Sequence, residues 1–187
     1  LFPVTPKAAQ TYIWRKDWNA DEFLVRSEGT EVEARVIGII PDQIISEEVH
    51  ARLSVKHGCV QADLDEDILH LAVINRYQEA APALGFIKGL GIRRGAIASS
   101  VAHDSHNIIV AATDAQLMAK AVNSISAHGG YYATDGIKEA SLPLPVAGLM
   151  STSSAQEVAA AEHRVKDFVK EMGCPLGSPF MTLGFQS

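Results

Sequence analysis

The sequence predicts an α/β (α+β) fold, with mixed, largely antiparallel sheet layers and flanking helices. Three observations carry this expectation. Short, β-branched apolar runs follow one another from Val32 to Val110, with turn residues between them. Asp135-Gly136 separates Tyr131-Tyr132-Ala133-Thr134 from the stretch 137–142, a strong hairpin signal. Two amphipathic segments late in the chain open on capping boxes and close on glycine.

Residues 1–31 place Trp14, Trp18 and Phe23 among charges, the pattern of an irregular arm, a linker from a preceding domain or a packing strap. Residues 32–187 form the domain proper. Val32 to Ile40 reads as a strand stopped by Pro41-Asp42, and Ile44-Ile45 restarts the apolar pattern. Leu53 to Val60 is a weaker strand, followed by the acidic stretch 63–67. Ile68 to Ile74 is a continuous apolar run of strand length interrupted by His70, and Leu84 to Leu90 repeats it. Ala96-Ile97-Ala98 and Ile108-Ile109-Val110 read as two strands joined across His103 to Asn107. Thr113-Asp114-Ala115-Gln116 has capping-box spacing; Leu117, Met118, Ala121, Val122 and Ile125 then share a helical face that Gly129-Gly130 ends. Ser154 to Glu157 is the second box, opening a helix with Val158, Ala161, Val165, Phe168, Val169 and Met172 on one stripe and Gly173 as its cap.

Composition excludes several classes of function. A hydrophobic fraction of 47% fills a core, and a formal net charge of −6 argues against a nucleic-acid partner, which wants a basic surface. No apolar run approaches the roughly 18 residues that span a bilayer, so no membrane partner is expected. Cys59 and Cys174 are two thiols without a disulfide framework, the usage of a reducing, cytoplasmic setting. Leu1 opens the chain and Gly184 to Ser187 follow directly on an apolar stretch, so a piece of a longer polypeptide is expected, truncated at its end.

The chemistry concentrates in Val101-Ala102-His103-Asp104-Ser105-His106-Asn107-Ile108. Burying such groups costs a few kcal/mol apiece unless each finds a partner, so five polar residues between apolar runs mark a turn at a sheet edge or a site. His103 and His106 would chelate a metal on a helix, but on a strand they point to opposite faces, and the flanking residues favour strand or turn. Metal binding here is therefore not expected. His103, Asp104 and His106 are the candidate catalytic residues, and Ser105 and Asn107 the candidate substrate-binding ones; a turn that merely satisfies its own backbone is the alternative.

Other motifs carry less. Gly89-Leu90-Gly91-Ile92-Arg93-Arg94-Gly95 has one residue too many for a dinucleotide loop and precedes a strand-like segment, leaving Arg93-Arg94 as a solvated turn. There is no Gly-x-Ser-x-Gly elbow, no Walker loop and no His-x-His pair. The acidic stretch 63–67 lacks the offsets of a calcium loop. His50, His57, His70, His128 and His163 are taken as structural or surface residues, with His70 a hydrogen-bonded core residue.

Several motifs in register carry a resemblance. Val36 to Ile45, Gly85-Phe86-Ile87-Lys88-Gly89, Gly95-Ala96-Ile97-Ala98-Ser99, Val101 to Val110, Leu142 to Ser151 and Pro179-Phe180-Met181-Thr182-Leu183 resemble the C-terminal domain of bacterial adenine deaminases of the amidohydrolase superfamily. The resemblance implies hydrolysis of adenine to hypoxanthine and ammonia, with a divalent metal, iron or manganese, in a preceding (β/α) barrel absent from this chain. No metal or cofactor is then expected here, and the chain alone is expected to be inactive. The implied partners are the amidohydrolase barrel domain of the same protein and adenine, in a homo-oligomer. A non-catalytic interaction or dimerisation module that only caps the barrel is the alternative. One departure stands out: the family usually shows an Arg-His pair and a glycine-rich link after the 68–74 run, where this chain has Arg76-Tyr77 and no glycine before Gly85.

Overall fold

A computed structural model describes residues 16–187. Nine strands form one sheet: β1 (Glu31–Ile39), β2 (Ser46–Lys56), β3 (Cys59–Val60), β4 (Ile68–Ile74), β5 (Ala83–Lys88), β6 (Ala96–Ser99), β7 (Ile108–Ala112), β8 (Tyr131–Thr134) and β9 (Glu139–Leu142). Their spatial order is β3-β2-β1-β5-β4-β7-β6-β8-β9. All pairings are antiparallel except β1 with β5, as the mixed, largely antiparallel expectation requires.

Helices cover both faces, and this explains why the central strands read as unbroken apolar runs. Successive side chains alternate across β7: Ile109 and Ala111 join Leu69, Leu71 and Ile97 on one face, beneath helix α2 (Ala155–Glu171) and the short helix α3 (Pro179–Gly184). Ile108, Val110 and Ala112 join Ala72, Ile74 and Ala98 on the other, beneath helix α1 (Ala115–Ile125). Val165, Val169 and Leu183 are fully buried, each stabilising the fold by about 1.5–3 kcal/mol. A third cluster, with Val36, Leu53 and Phe86, fills the β1–β2–β5 end.

Residues 16–30 pack as a strap on this frame. Trp18 and Phe23 are buried against the α1 side, with Phe23 in a one-turn 3-10 helix, Ala20–Phe23. Asn123 of α1 holds the strap by its backbone: Trp18 N–H donates to Asn123 Oδ1 at 2.9 Å and Asn123 Nδ2 donates to the Trp18 carbonyl at 2.8 Å. Trp14 lies outside the described residues.

Local details correct the sequence reading in four places. Helix α1 is capped by Asp114, whose side chain accepts from Leu117 N–H, because the Thr113 hydroxyl is already accepting from Gly95 N–H. Ile44 and Ile45 stay exposed in the β1–β2 connection, and β2 starts at Ser46, a strand start hidden by the exposed polar run of Ser46, Glu47 and Glu48. The β8–β9 turn takes four residues, since the Asp135 carboxylate accepts from both Ile137 and Lys138 N–H. The capping box of α2 at Ser154 and Glu157 forms as read. Beyond these corrections, residues 179–184 form α3 with Pro179 in its first turn.

The fourth correction concerns His70. It is a core residue, packed against Phe86 with ring centroids 5.4 Å apart, but its Nδ1 has no hydrogen-bond partner. Burial pushes its imidazole below the ordinary value. The unfolded chain therefore binds the proton more readily, so the titration of His70 contributes nothing above about pH 6.5 and destabilises the fold progressively below it. His50, raised by its hydrogen bond to Glu48, titrates on the alkaline side of that window. Asp135 and Glu157, lowered by backbone N–H donors, act only at more acid pH. His70→Leu is expected to flatten the fall in urea midpoint as pH drops below about 6.5. An unchanged slope would assign the acid sensitivity elsewhere.

Candidate functional site

Strand register gathers four connections at one end of the sheet. Ile74 pairs with Ile108, Val73 with Ala83, Ser99 with both Ile109 and Tyr131, and Tyr131 with Leu142. The segments 75–82, 100–107, 126–130 and 143–150 therefore emerge side by side, with the C-terminal end of α3 beneath them.

The 100–107 segment carries the five candidate residues, and the structure keeps them together in a turn between β6 and β7. Its backbone is pinned at several points. His103 N–H donates to the Gly184 carbonyl at 3.1 Å, and His106 N–H to the Ala102 carbonyl at 2.6 Å, with His106 at a φ of +51°. The Ser187 hydroxyl donates to the His103 carbonyl at 3.3 Å, and the Tyr77 hydroxyl to the Ser105 carbonyl at 3.1 Å. At its root, the buried Ser100 hydroxyl accepts from Gly130 N–H at 2.7 Å and donates to the Gly148 carbonyl at 2.6 Å.

The side chains divide into two groups. His103, Asp104 and Ser105 are exposed. The His103 ring lies 4.9 Å from that of Phe185 and 6.0 Å, edge-on, from that of His106. The Ser105 hydroxyl accepts from Asn107 N–H at 3.3 Å, which leaves its own hydrogen to donate. His106 and Asn107 are half-buried, and His106 Nδ1 and Asn107 Oδ1 are buried without a hydrogen-bond partner. Such orphaned atoms cost roughly 1–3 kcal/mol each and are few in a native fold. Phe185 also lines a cleft of about 270 Å³ with Ile44, Leu176 and Met181, so the turn borders that cleft.

Sequence reading overlooked two contributors to this cluster. Arg76 is 4% exposed and donates from Nη1 to the Ala147 carbonyl at 2.6 Å and from Nη2 to the Tyr77 hydroxyl at 3.2 Å. The 146–150 turn, with Ala147 at a φ of +57°, is the other. The signals for Arg76 were a cation directly behind a buried strand and its place in the family's Arg-His pair. Among the described residues, no three or more His, Cys, Asp or Glu side chains gather as metal ligands. No described helix is long and apolar enough to cross a membrane. Cys59 and Cys174 are both free thiols.

The deciding observation is a match of residues 43–187 to the model of the adenine deaminase C-terminal domain. The chain belongs to that family. Among curated relatives, the adenine deaminase of Methanothermobacter thermautotrophicus is 44% identical over 172 residues, covering 91% of this chain and 32% of that protein. The adenine deaminase of Methanothrix thermoacetophila is 46% identical over 153 residues, covering 81% of this chain and 27% of the relative. That of Clostridium botulinum strain ATCC 19397 is 42% identical over 167 residues, covering 87% and 28%. This adenine deaminase C-terminal domain thus spans about a third or less of the length of these relatives. In it, Tyr77 stands where the resemblance led us to expect histidine, and its hydroxyl ties the strand end to the 103–107 turn.

Proposed function

We propose that this domain completes the active site of an adenine deaminase, presenting the His103–Asn107 turn to a metal-dependent barrel elsewhere in the same protein. One observation carries the reading: the turn's backbone is pinned from Gly184, Tyr77 and Ser187, while the Asp104 carboxylate and both histidine rings make no hydrogen bond or ion pair among the described residues. Fixed backbone with uncommitted side chains is what a binding turn needs, since the cost of ordering it is met before the ligand arrives.

Adenine offers ring nitrogens that accept and an exocyclic amine that donates. Ser105 and Asn107 can hydrogen-bond these edges. His103, Asp104 and His106 can hold and move the protons required when water adds at C6 and ammonia leaves. The divalent metal, iron or manganese, belongs to the barrel, where it would activate water; no ligand set for it is gathered among the described residues. The reading places the protein in the cytoplasm, where Cys59 and Cys174 stay reduced.

The test is ammonia release from adenine, with manganese or ferrous iron supplied. It compares this chain alone with this chain joined to the remaining portion of the Methanothermobacter relative. Activity is expected only in the joined protein. There, His103→Ala and His106→Ala are expected to lower turnover roughly ten- to hundredfold without loss of folding. Unchanged kinetics in both variants would overturn the reading and leave a domain that only caps the barrel; activity of the chain alone would overturn the shared site.

A further inference from the structure

We propose that Arg76 is a positioning residue for the candidate site: its buried guanidinium clamps the 103–107 turn and the 146–150 turn to the end of β4. This rests on the reading above for its functional consequence, but the clamp itself is a property of the fold.

Burying a guanidinium is costly unless the charge is paired or richly hydrogen-bonded. Arg76 has no carboxylate within ion-pair distance among the described residues, so its bonds to neutral acceptors must hold it. All of these lead to loops. Nη1 donates to the Ala147 carbonyl, and Nη2 donates to the Tyr77 hydroxyl, which in turn donates to the Ser105 carbonyl. The guanidinium also lies over the Tyr77 ring, 5.0 Å from its centroid, which orients that hydroxyl. Arg76 Nε is buried without a partner, as are His106 Nδ1 and Asn107 Oδ1. Three of the four such atoms among the described residues thus fall in this cluster. On the far side, Ser100 holds the Gly148 carbonyl, so Arg76 and Ser100 grip the 146–150 turn from two directions.

Neither hydrogen bond of the Arg76 guanidinium ends on a strand. Its loss should therefore free the turns and spare the sheet, which is the signature that separates positioning from core stability. Arg76→Met and Tyr77→Phe are to be compared with the parent chain by amide hydrogen exchange. In Arg76→Met, exchange in 103–107 and 146–150 is expected to rise about tenfold or more, with β4, β6 and β7 within about twofold. Tyr77→Phe, which deletes only the relay hydroxyl, is expected to loosen 103–107 and leave 146–150 protected. If Arg76→Met fails to fold, Tyr77→Phe still decides the relay. Uniform loss of protection, or no change in the turns, would overturn the clamp.

In the joined protein, Arg76→Met is expected to lower kcat about tenfold with KM changed less than about threefold, and Arg76→Lys to recover part of it. Loosened turns with unchanged kcat would show that the clamp serves structure alone and would overturn the positioning role. An inactive parent protein would instead refute the deaminase reading, while the exchange data would still judge the clamp.

Discussion

Gly130→Ala is expected to destabilise the domain by at least about 3–5 kcal/mol, a large share of the 5–15 kcal/mol that holds an ordinary domain together. Gly130 has a φ of +93°, and a Cβ there would stand 1.9 Å from the Leu142 carbonyl oxygen and 2.9 Å from Leu144 N. Both are backbone atoms of the segment leaving β9, so neither can swing aside as a side-chain tip would. The damage would also reach the candidate site. Gly130 N–H donates to the Ser100 hydroxyl and its carbonyl accepts from Ser100 N–H, so a shift at Gly130 moves the root of the 100–107 segment. A Cβ at Gly129 would likewise stand too close to backbone, 2.4 Å from the Gly148 Cα. Urea unfolding followed by circular dichroism checks the expectation. A loss under about 1 kcal/mol would show that the β9 exit relaxes freely around the added methyl.

Phe23→Ala is expected to cost about 3–5 kcal/mol, the usual range for a buried phenylalanine truncated to alanine. Phe23 is 1% exposed, its ring 5.7 Å from that of Trp18, and both pack with the α1-side core that includes Ala72, Ile74 and Val122. The strap continues into the sheet edge: Val60 N–H donates to the Val25 carbonyl and Ser27 N–H to the Gly58 carbonyl. Truncating Phe23 therefore opens a cavity over one face of the sheet and loosens the segment leading into β1. A change below about 1 kcal/mol in the same urea assay would mean that residues 16–30 can leave the sheet without consequence.

Much of the architecture was legible because its signals are local. Ile68 to Ile74 and Ile108 to Val110 could be read as strands from length and β-branching, and their unbroken apolarity has its cause in helices on both faces. The α2 capping box could be read because Ser154 and Glu157 need only each other. Where the sequence misled, a competing partner lay far along the chain. Thr113 was drawn away from the helix by Gly95, and Gly129-Gly130, read as a helix stop, sits four residues past the end of α1 as a crossing point for the 143–150 segment. The β2 start was missed because Ser46, Glu47 and Glu48 are all polar and exposed, so the alternation that runs from Val49 to Lys56 has no apolar residue at its beginning.

The candidate site shows the same division. Five polar residues between two apolar strands were conspicuous in the sequence, as was the family they belong to, because both are properties of contiguous residues. That Arg76, Tyr77, Ala147, Gly184 and Ser187 converge on that turn was decided only in three dimensions. Pairing β4 with β7, β7 with β6, β6 with β8 and β8 with β9 brings Arg76 and Ala147, 71 residues apart, to one end of the sheet. Hydrophobic patterning specifies which face of each strand is buried, but it says nothing about which loops then meet, since that depends on the register and order of strands distant in sequence.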